Sequence, residues 1–404
     1  MRFDHHLSRA FQQQLQATAQ KMRDWDAQAL IDEHAAQDIA TRIQFFDHAP
    51  GAPPLSFTGV DGSGEYPLLT YADAFVYLTT AHAATYTTHL NAGLKEHTAP
   101  QSLVNLAWLP GSQDVARPEV LAAFEAMTGE SITDTIEGSD YRLMNPRHAR
   151  LSTQDLVDGL VIPPASDSGN HAIQLRTVGE LGAARRALAG GHTDYLLYDS
   201  TLALPLFRSA SSLFLEHLKR RVCVQAREQG AAFVALSKSP GLPGMDDIER
   251  LALNRARADV DAQASVAEHW FLRLPIPDVD DWSFPPADGR TVPPPGAVSY
   301  LVRFHRNTGV LRIDLDRTYW QTHLHADTDA QTRARERRLF EHLDYAGHDQ
   351  RAYGYPYPIK AAHDHASLTG TERHAFRSQL IDAAVKTGMN RNLFRNASGL
   401  TGHR

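Results

Sequence analysis

Apolar residues recur at helical spacing through a polar N-terminal stretch. Phe11, Leu15, Met22 and Trp25 stand among many Gln and Ala, which predicts helix from about Arg9 to Phe46. Pro and Gly in HAPGAPP (48–54) end it. An apolar run from Leu55 to Val60 predicts a strand that closes on Asp61-Gly62-Ser63-Gly64, and a second extended run covers Ala74–Thr80. From about Tyr86 to Gly169 the periodicity weakens. Loop punctuation (LPGSQ, NPRH, PPASDSG) and a helical piece at Pro118–Met127 make residues 86–169 read as an insertion or small subdomain.

Order returns with a helix over Thr177–Ala189 and a strand over Tyr195–Asp199. A long helix from about Ser209 to Gln229 follows, then a strand from Ala231 to Leu236 running into Ser237-Lys238. After the loop SPGLPGMDD comes a helix from about Ile248 to Ala262, then a Pro-rich stretch at 285–295. Ala297–His305 and Val310–Leu315 flank Asn307-Thr308-Gly309, a hairpin signal. A charged helix over Asp329–Leu343 follows, then the stiff turn Tyr353-Gly-Tyr-Pro-Tyr-Pro. Thr369-Gly-Thr-Glu372 fits a capping box that opens the last helix, and the tail after Gly388 reads as loose. Strands alternating with helices, plus a hairpin, predict an α/β chain with a mixed sheet.

Composition narrows the class. The 404 residues are 42% hydrophobic and 22% charged, which excludes a disordered or collagen-like chain. No unbroken apolar run reaches the ~18 residues of a membrane span, and the opening MRFDHHLSRAFQQQ lacks the apolar core of a signal peptide. A single cysteine, Cys223, excludes an internal disulfide and a zinc site built on several thiolates. The expectation is a soluble, cytoplasmic protein. A net charge of −7 argues against a cationic coat for nucleic acid, although not against a local basic groove. No Walker-type Gly-x-x-x-x-Gly-Lys-Ser/Thr occurs, so ATP-driven movement would require a partner.

Three acids define the candidate chemistry. Asp61 and Asp199 each follow a predicted strand, and Glu180 lies near the start of the predicted helix that precedes the second of them. Eight or nine helical residues rise about 13 Å and a five-residue strand spans about 17 Å, so an antiparallel helix–strand pair returns Glu180 to the edge that carries Asp199. If the Asp61 strand lies parallel alongside, the three carboxylates converge and require a cation, for which hard oxygen donors suit Mg²⁺ or Mn²⁺. Two such ions hydrolyse phosphodiesters, one activating water and one stabilising the leaving oxygen. On spacing alone, the commoner meaning of an acid in such a place is the start of a turn.

Other candidates surround this set. Lys238 is the first charge after an apolar strand and is placed either to meet a phosphate or to reach solvent. His363, in Ala361-Ala-His-Asp-His365, suits a metal or a proton shuttle, and Tyr355 suits packing. His323-x-His325 lacks an evident third ligand. The basic runs Lys219-Arg220-Arg221 and Arg333-x-Arg335-Glu336-Arg337-Arg338 fit a solvated helix face by default and phosphate tracking otherwise.

Together these segments resemble the NurA nuclease family, whose fold is RNase H-like. The matching blocks, in family order, are GVDGSG (59–64), the helix carrying Glu180, YLLYDSTL (195–202), AFVALSKS (232–239), the hairpin SYLVRFH…GVLRIDL (299–315) and GYPYPIKAAHDHASL (354–368). The resemblance runs from about Leu55 to Val385 and leaves 86–169 unmatched. It implies an RNase H-like mixed β-sheet core flanked by helices, with a helical N-terminal extension (1–50), a nuclease domain (51–388) that includes the insertion, and a C-terminal tail (389–404). It further implies a Mn²⁺-dependent (or Mg²⁺-dependent) 5′-to-3′ DNA exonuclease that also cuts single strands. Such an enzyme is a homodimer working with a HerA-type hexameric ATPase in DNA end processing or defence. Asp61, Glu180 and Asp199 would be metal ligands, His363 a further ligand or proton-transfer group, and Lys238 and Tyr355 active-site residues. Ser200 stands where the family usually has Gly after the second aspartate. Two other classes remain open: a catalytically silent adaptor that docks DNA ends onto a motor, and a zinc phosphoesterase built on His323 or His325.

Overall fold

In this computed structural model the described residues are 9–28, 33–48, 54–64, 66–71, 73–89, 93–97, 102–144, 147–160, 168–191, 193–202, 210–238, 244–258, 269–276, 296–305 and 307–394. The Pro-rich stretch 285–295 and the final ten residues of the tail lie outside them. Helices α1 (Arg9–Gln28) and α2 (Glu33–Arg42) lead into strands β1 (Gln44–Phe45), β2 (Ser56–Ser63), β3 (Leu69–Tyr71), β4 (Ala74–His89), β5 (Gly93–Glu96) and β6 (Leu103–Leu109). Helices α3 (Gln113–Thr128), α4 (Ile132–Glu137), α5 (Thr153–Leu160) and α6 (Ser168–Ala189) follow, then β7 (Tyr195–Tyr198), α7 (Ala210–Glu228), β8 (Ala232–Ser237) and α8 (Met245–Ala258). The chain continues through β9 (Trp270–Arg273), β10 (Ala297–Arg303), β11 (Leu311–Asp316), α9 (Arg317–Tyr319), α10 (Asp329–Gly347), α11 (Tyr357–Ala366) and α12 (Gly370–Lys386).

The strands form one mixed sheet in the order β1-β9-β10-β11-β8-β7-β2-β4-β3, with β5 and β6 also paired to β4. At its centre β2, β7 and β8 are parallel, and β4 and β11 flank them antiparallel. All four residues of β7 are buried, as expected for a parallel strand covered on both faces. One apolar core lies between the sheet and α3, α6 and α7, and includes Val60, Leu196, Phe233, Leu181 and Val222. A second lies between the opposite face and α10 and α11, and includes Phe57, Leu197, Val234, Phe340 and Ile359. The architecture is thus the expected mixed-sheet α/β core flanked by helices.

Within 86–169, read from the sequence as an insertion or small subdomain, β5 and β6 extend the sheet from β4, and Phe124 and Met127 of α3 join the first core. The strand signal weakened after Thr80 because β4 is buried at nearly every position, so its polar and apolar residues do not alternate. One sequence expectation is corrected: the N-terminal segment, expected as helix to Phe46, is helical only as far as Arg42 and then forms a strand, β1, that pairs with β9. Ile43 packs there with Trp270, Leu272 and Leu301. Among the described residues no helix is long and apolar enough to cross a membrane.

The first basic run is consumed by the fold. Arg221 pairs with Glu130, which Arg185 also reaches at 2.7 Å, while Arg220 pairs with Asp140 and Lys219 reaches Glu216 at 2.7 Å. Burial alone would raise the Glu130 pKa, but the bonds from Arg221, Thr135 and Arg185 outweigh it and bring it down to about 2. The folded value therefore lies below the ordinary value of 4.5. The resulting stability is full above pH 4.5 and is lost as pH falls towards 2. Allowing for solvent screening, Glu130→Gln is expected to cost about 1–2 kcal/mol at pH 7 and nearly nothing at pH 2. Urea unfolding at the two pH values checks it, and an equal loss at both would refute the charge argument.

Candidate active site

The site grows from the register of two parallel strands. Val60 of β2 is paired with Tyr198 of β7, so Asp61, still within β2, and Asp199, the first residue past β7, stand side by side where the β2–β7 pairing ends. Adjacent strands lie about 4.8 Å apart, and register partners point to the same face. Asp61 faces the side covered by α11, because Gly59, two residues earlier, lies against the α11 backbone. A Cβ on Gly59 would fall 2.1 Å from the carbonyl carbon of Pro358 and 2.3 Å from the amide nitrogen of Ile359. Four helical residues beyond Ile359 rise about 6 Å, and two strand residues beyond Gly59 rise about 6.6 Å. That match brings His363 over Asp61, with Nδ1 2.7 Å from Oδ2. The other ring nitrogen, Nε2, lies 3.1 Å from the Ser367 hydroxyl.

Glu180 arrives from the other face of the sheet. It lies in the middle of α6, which begins at Ser168 rather than near Thr177, and it is buried. Gly62 leaves the opening: a Cβ there would fall 2.8 Å from the Glu180 Cγ. Tyr198 donates its hydroxyl to Glu180 Oε2 at 2.9 Å, and Arg176, one helical turn back, lies 3.3 Å from Oε1. Neither Tyr198 nor Arg176 was singled out from the sequence. The i, i+4 spacing of Arg176 and Glu180 is the signal that offered Arg176.

The electrostatics follow from this crowding. Burial pushes the Glu180 carboxyl up to about 7, and the charges of Asp61 and Asp199 add to the rise against the opposing Arg176. Asp61 is raised by burial and by Asp199, while the Gly62 amide and His363 oppose the rise. The Gly62 amide donates to Asp61 Oδ1 at 2.7 Å. Lys238 places Nζ 3.2 Å from Asp199 Oδ2 and 4.8 Å from the centre of the Tyr355 ring. Burial and the charges of Asp199 and Asp61 raise the Tyr355 pKa. An interaction of its buried hydroxyl with the Asp199 carboxylate adds to the rise. All six candidate residues therefore surround one edge of the β2–β7 pair.

Three oxygen-donating acids, two of them raised in pKa by burial and, to a lesser degree, by neighbouring carboxylate charge, are a donor set suited to a hard divalent cation. As they stand, no three of their ligand atoms lie within 4.8 Å of one another; among the described residues the set that does is His48, Asp344 and His348, elsewhere in the fold. Beside the acids opens a cleft of about 460 Å³ lined in part by Lys238, Arg351, Tyr353, Tyr355, Lys360 and His363. It is rich in cations and rings, as a path for a nucleic-acid strand requires. His323 and His325 contribute nothing to it: they stack on Tyr319 and Trp320 respectively. His82, the strand partner of Asp61, is a buried neighbour that went unnoticed in the sequence. Burial and the adjoining His365 lower its pKa to about 4.

The arrangement has a counterpart among solved structures. The crystal structure of the NurA nuclease from Sulfolobus solfataricus aligns over 95% of this chain and 99% of its own, with a TM-score of 0.52 and 12% identity. The fold is that of the NurA nuclease. A NurA structure bound to dAMP and manganese aligns over 95% of this chain and 98% of its own, with a TM-score of 0.42 and 12% identity. No family model matches the chain, and no curated protein matches it. At 12% identity the NurA likeness is one of fold, and the chemistry rests on the residues described above.

Proposed function

We propose that this chain is a metal-dependent DNA nuclease of the NurA kind, cutting phosphodiester bonds as a 5′-to-3′ exonuclease and single-strand endonuclease. The observation that carries the reading is the side-by-side placement of Asp61 on β2 and Asp199 just past the parallel β7, with Glu180 reaching them past Gly62. Asp61 and Asp199 would hold a pair of Mn²⁺ or Mg²⁺ ions, Glu180 would complete the cage, and His363 would hold Asp61 in place and serve as a further ligand or proton carrier. Bound there, the ions supply an activated water and charge stabilisation for the leaving oxygen. Lys238, held over the Tyr355 ring, offsets negative charge on the phosphate under attack. Cleavage of end-labelled single- and double-stranded DNA, with Mn²⁺ and with a chelator, tests the reading. Metal-dependent release of nucleotides from the 5′ end is expected, and DNA binding without cleavage under any divalent ion would favour the adaptor.

Lys238→Ala is expected to lower the cleavage rate by about 10- to 100-fold, the equivalent of losing one hydrogen bond to a charged group. The side chain is largely exposed, so the thermal midpoint should not move. An unchanged rate at saturating Mn²⁺ would remove Lys238 from the chemistry.

The proposed partners are DNA, a second copy of the chain and a HerA-type hexameric ATPase, which would supply the translocation that this sequence lacks. Val104, Leu106 and Trp108 of β6 form an exposed apolar stripe that supports a protein contact. Leu106→Glu with Trp108→Glu is expected to convert a dimer to monomer in light scattering. A dimer that persists in the double variant would place the interface elsewhere.

A further inference from the structure

A second cluster of ligand-bearing side chains lies outside the nuclease site. His48 follows β1, Asp344 is on the last turns of α10, and His348 is the residue just beyond that helix. One ligand atom from each lies within 4.8 Å of the others. Asp344 is fully buried; its Oδ2 lies 2.6 Å from His48 Nδ1 and its Oδ1 lies 3.2 Å from His269 Nδ1. The His48 and His348 rings face each other with centroids 4.1 Å apart, and His348 is open to solvent.

We propose that His48, Asp344 and His348 form a binding site for a borderline divalent cation, Zn²⁺ foremost, separate from the carboxylates at Asp61 and Asp199. The donor set decides the ion. Two imidazoles and one carboxylate suit Zn²⁺, whereas the all-oxygen acids suit Mn²⁺ or Mg²⁺. Tetrahedral Zn²⁺ with bonds of 2.0–2.2 Å holds its ligand atoms roughly 3.3 Å apart, so groups already gathered within 4.8 Å need only small side-chain rotations. His269, on the opposite oxygen of Asp344, supplies the outer hydrogen bond that fixes a ligating carboxylate. The solvent-facing side leaves the fourth position for water.

The site would brace the nuclease cleft. His348 opens the loop that carries Tyr353 and Tyr355, and its ring meets the Tyr353 ring edge-on at 5.5 Å. The same loop is closed by the Gly354 amide, which donates to the Gly347 carbonyl at 2.8 Å. An ion linking the end of α10 to the segment after β1 therefore fixes the base of the loop whose tip lines the cleft.

Calorimetric titration of Zn²⁺ into the chelator-treated Asp61→Ala/Asp199→Ala protein tests this without any readout of cleavage. One equivalent of Zn²⁺ should bind, with Mg²⁺ in excess failing to compete. Adding His48→Ala or His348→Ala should weaken binding at least tenfold. His348 is exposed, so circular dichroism of that variant should match the parent and separate lost binding from lost folding. No saturable Zn²⁺ binding in the parent, or binding unchanged by both histidine substitutions, would overturn the site and leave a hydrogen-bonded His–Asp–His network.

Discussion

Alanine at Asp61 or at Asp199 is expected to reduce cleavage of labelled DNA by at least about three orders of magnitude in saturating Mn²⁺. Each carboxylate removed takes away an anchor for charge stabilisation worth several kcal/mol, and each 1.36 kcal/mol is tenfold in rate. The fold should survive. Asp61 is buried beside a like charge and its pKa is raised, so in the metal-free protein its ionised form is a burden rather than a support. The metal-free thermal midpoint of Asp61→Ala should therefore equal or exceed that of the parent, while added Mn²⁺ stabilises the parent alone. Asp61→Asn guards against a packing artefact, because it keeps the volume and the contact with His363. Cleavage at the parental rate by either alanine variant would remove the acidic pair from the chemistry and leave the fold likeness without a function.

The Asp61–Asp199 pair was legible because both lie just past apolar runs, although β2 itself continues two residues beyond Asp61, to Ser63. Glu180 was legible for a subtler reason. Its helix begins nine residues earlier than the periodicity predicts, yet only the distance back from the helix end to β7 decides where the side chain arrives. That distance, Glu180 to Ala189, was read correctly.

What escaped depends on contacts between distant segments. Nothing in Gly59 announces that the backbone of α11 rests on it, and nothing in Lys219-Arg220-Arg221 announces three separate acids waiting for them. Strand β9 is four residues long and left no periodicity to read. The His48–Asp344–His348 cluster joins residues almost 300 positions apart, so no local spacing carries it. The Ser200 departure from the family pattern has a modest footprint: its amide donates to the Tyr198 carbonyl at 2.9 Å, a bond that any non-proline residue can make.

Gly59→Ala should be the most disruptive single methyl group around the candidate site. The added Cβ would lie 2.1 Å from one backbone atom of Pro358 and 2.2 Å from another, and backbone cannot rotate aside as a side-chain tip can. Overpacking in a core commonly costs about 1–3 kcal/mol, and a clash with a helix backbone belongs at or above the top of that range. Relief requires α11 to lift from β2, which draws His363 away from Asp61 and loosens the 2.5 Å bond from the Thr80 hydroxyl to the Ala366 carbonyl. Stability and cleavage should therefore fall together, with the denaturation midpoint lowered and residual activity insensitive to a further His363→Ala change. Gly159→Ala is the matched control. It lies in helix α5 with open space around its would-be Cβ, so there the added methyl should be neutral or stabilising by up to about 1 kcal/mol. A Gly59→Ala protein with the parental midpoint and parental cleavage would mean that α11 does not rest on β2, and the contact that places His363 over Asp61 would be lost with it.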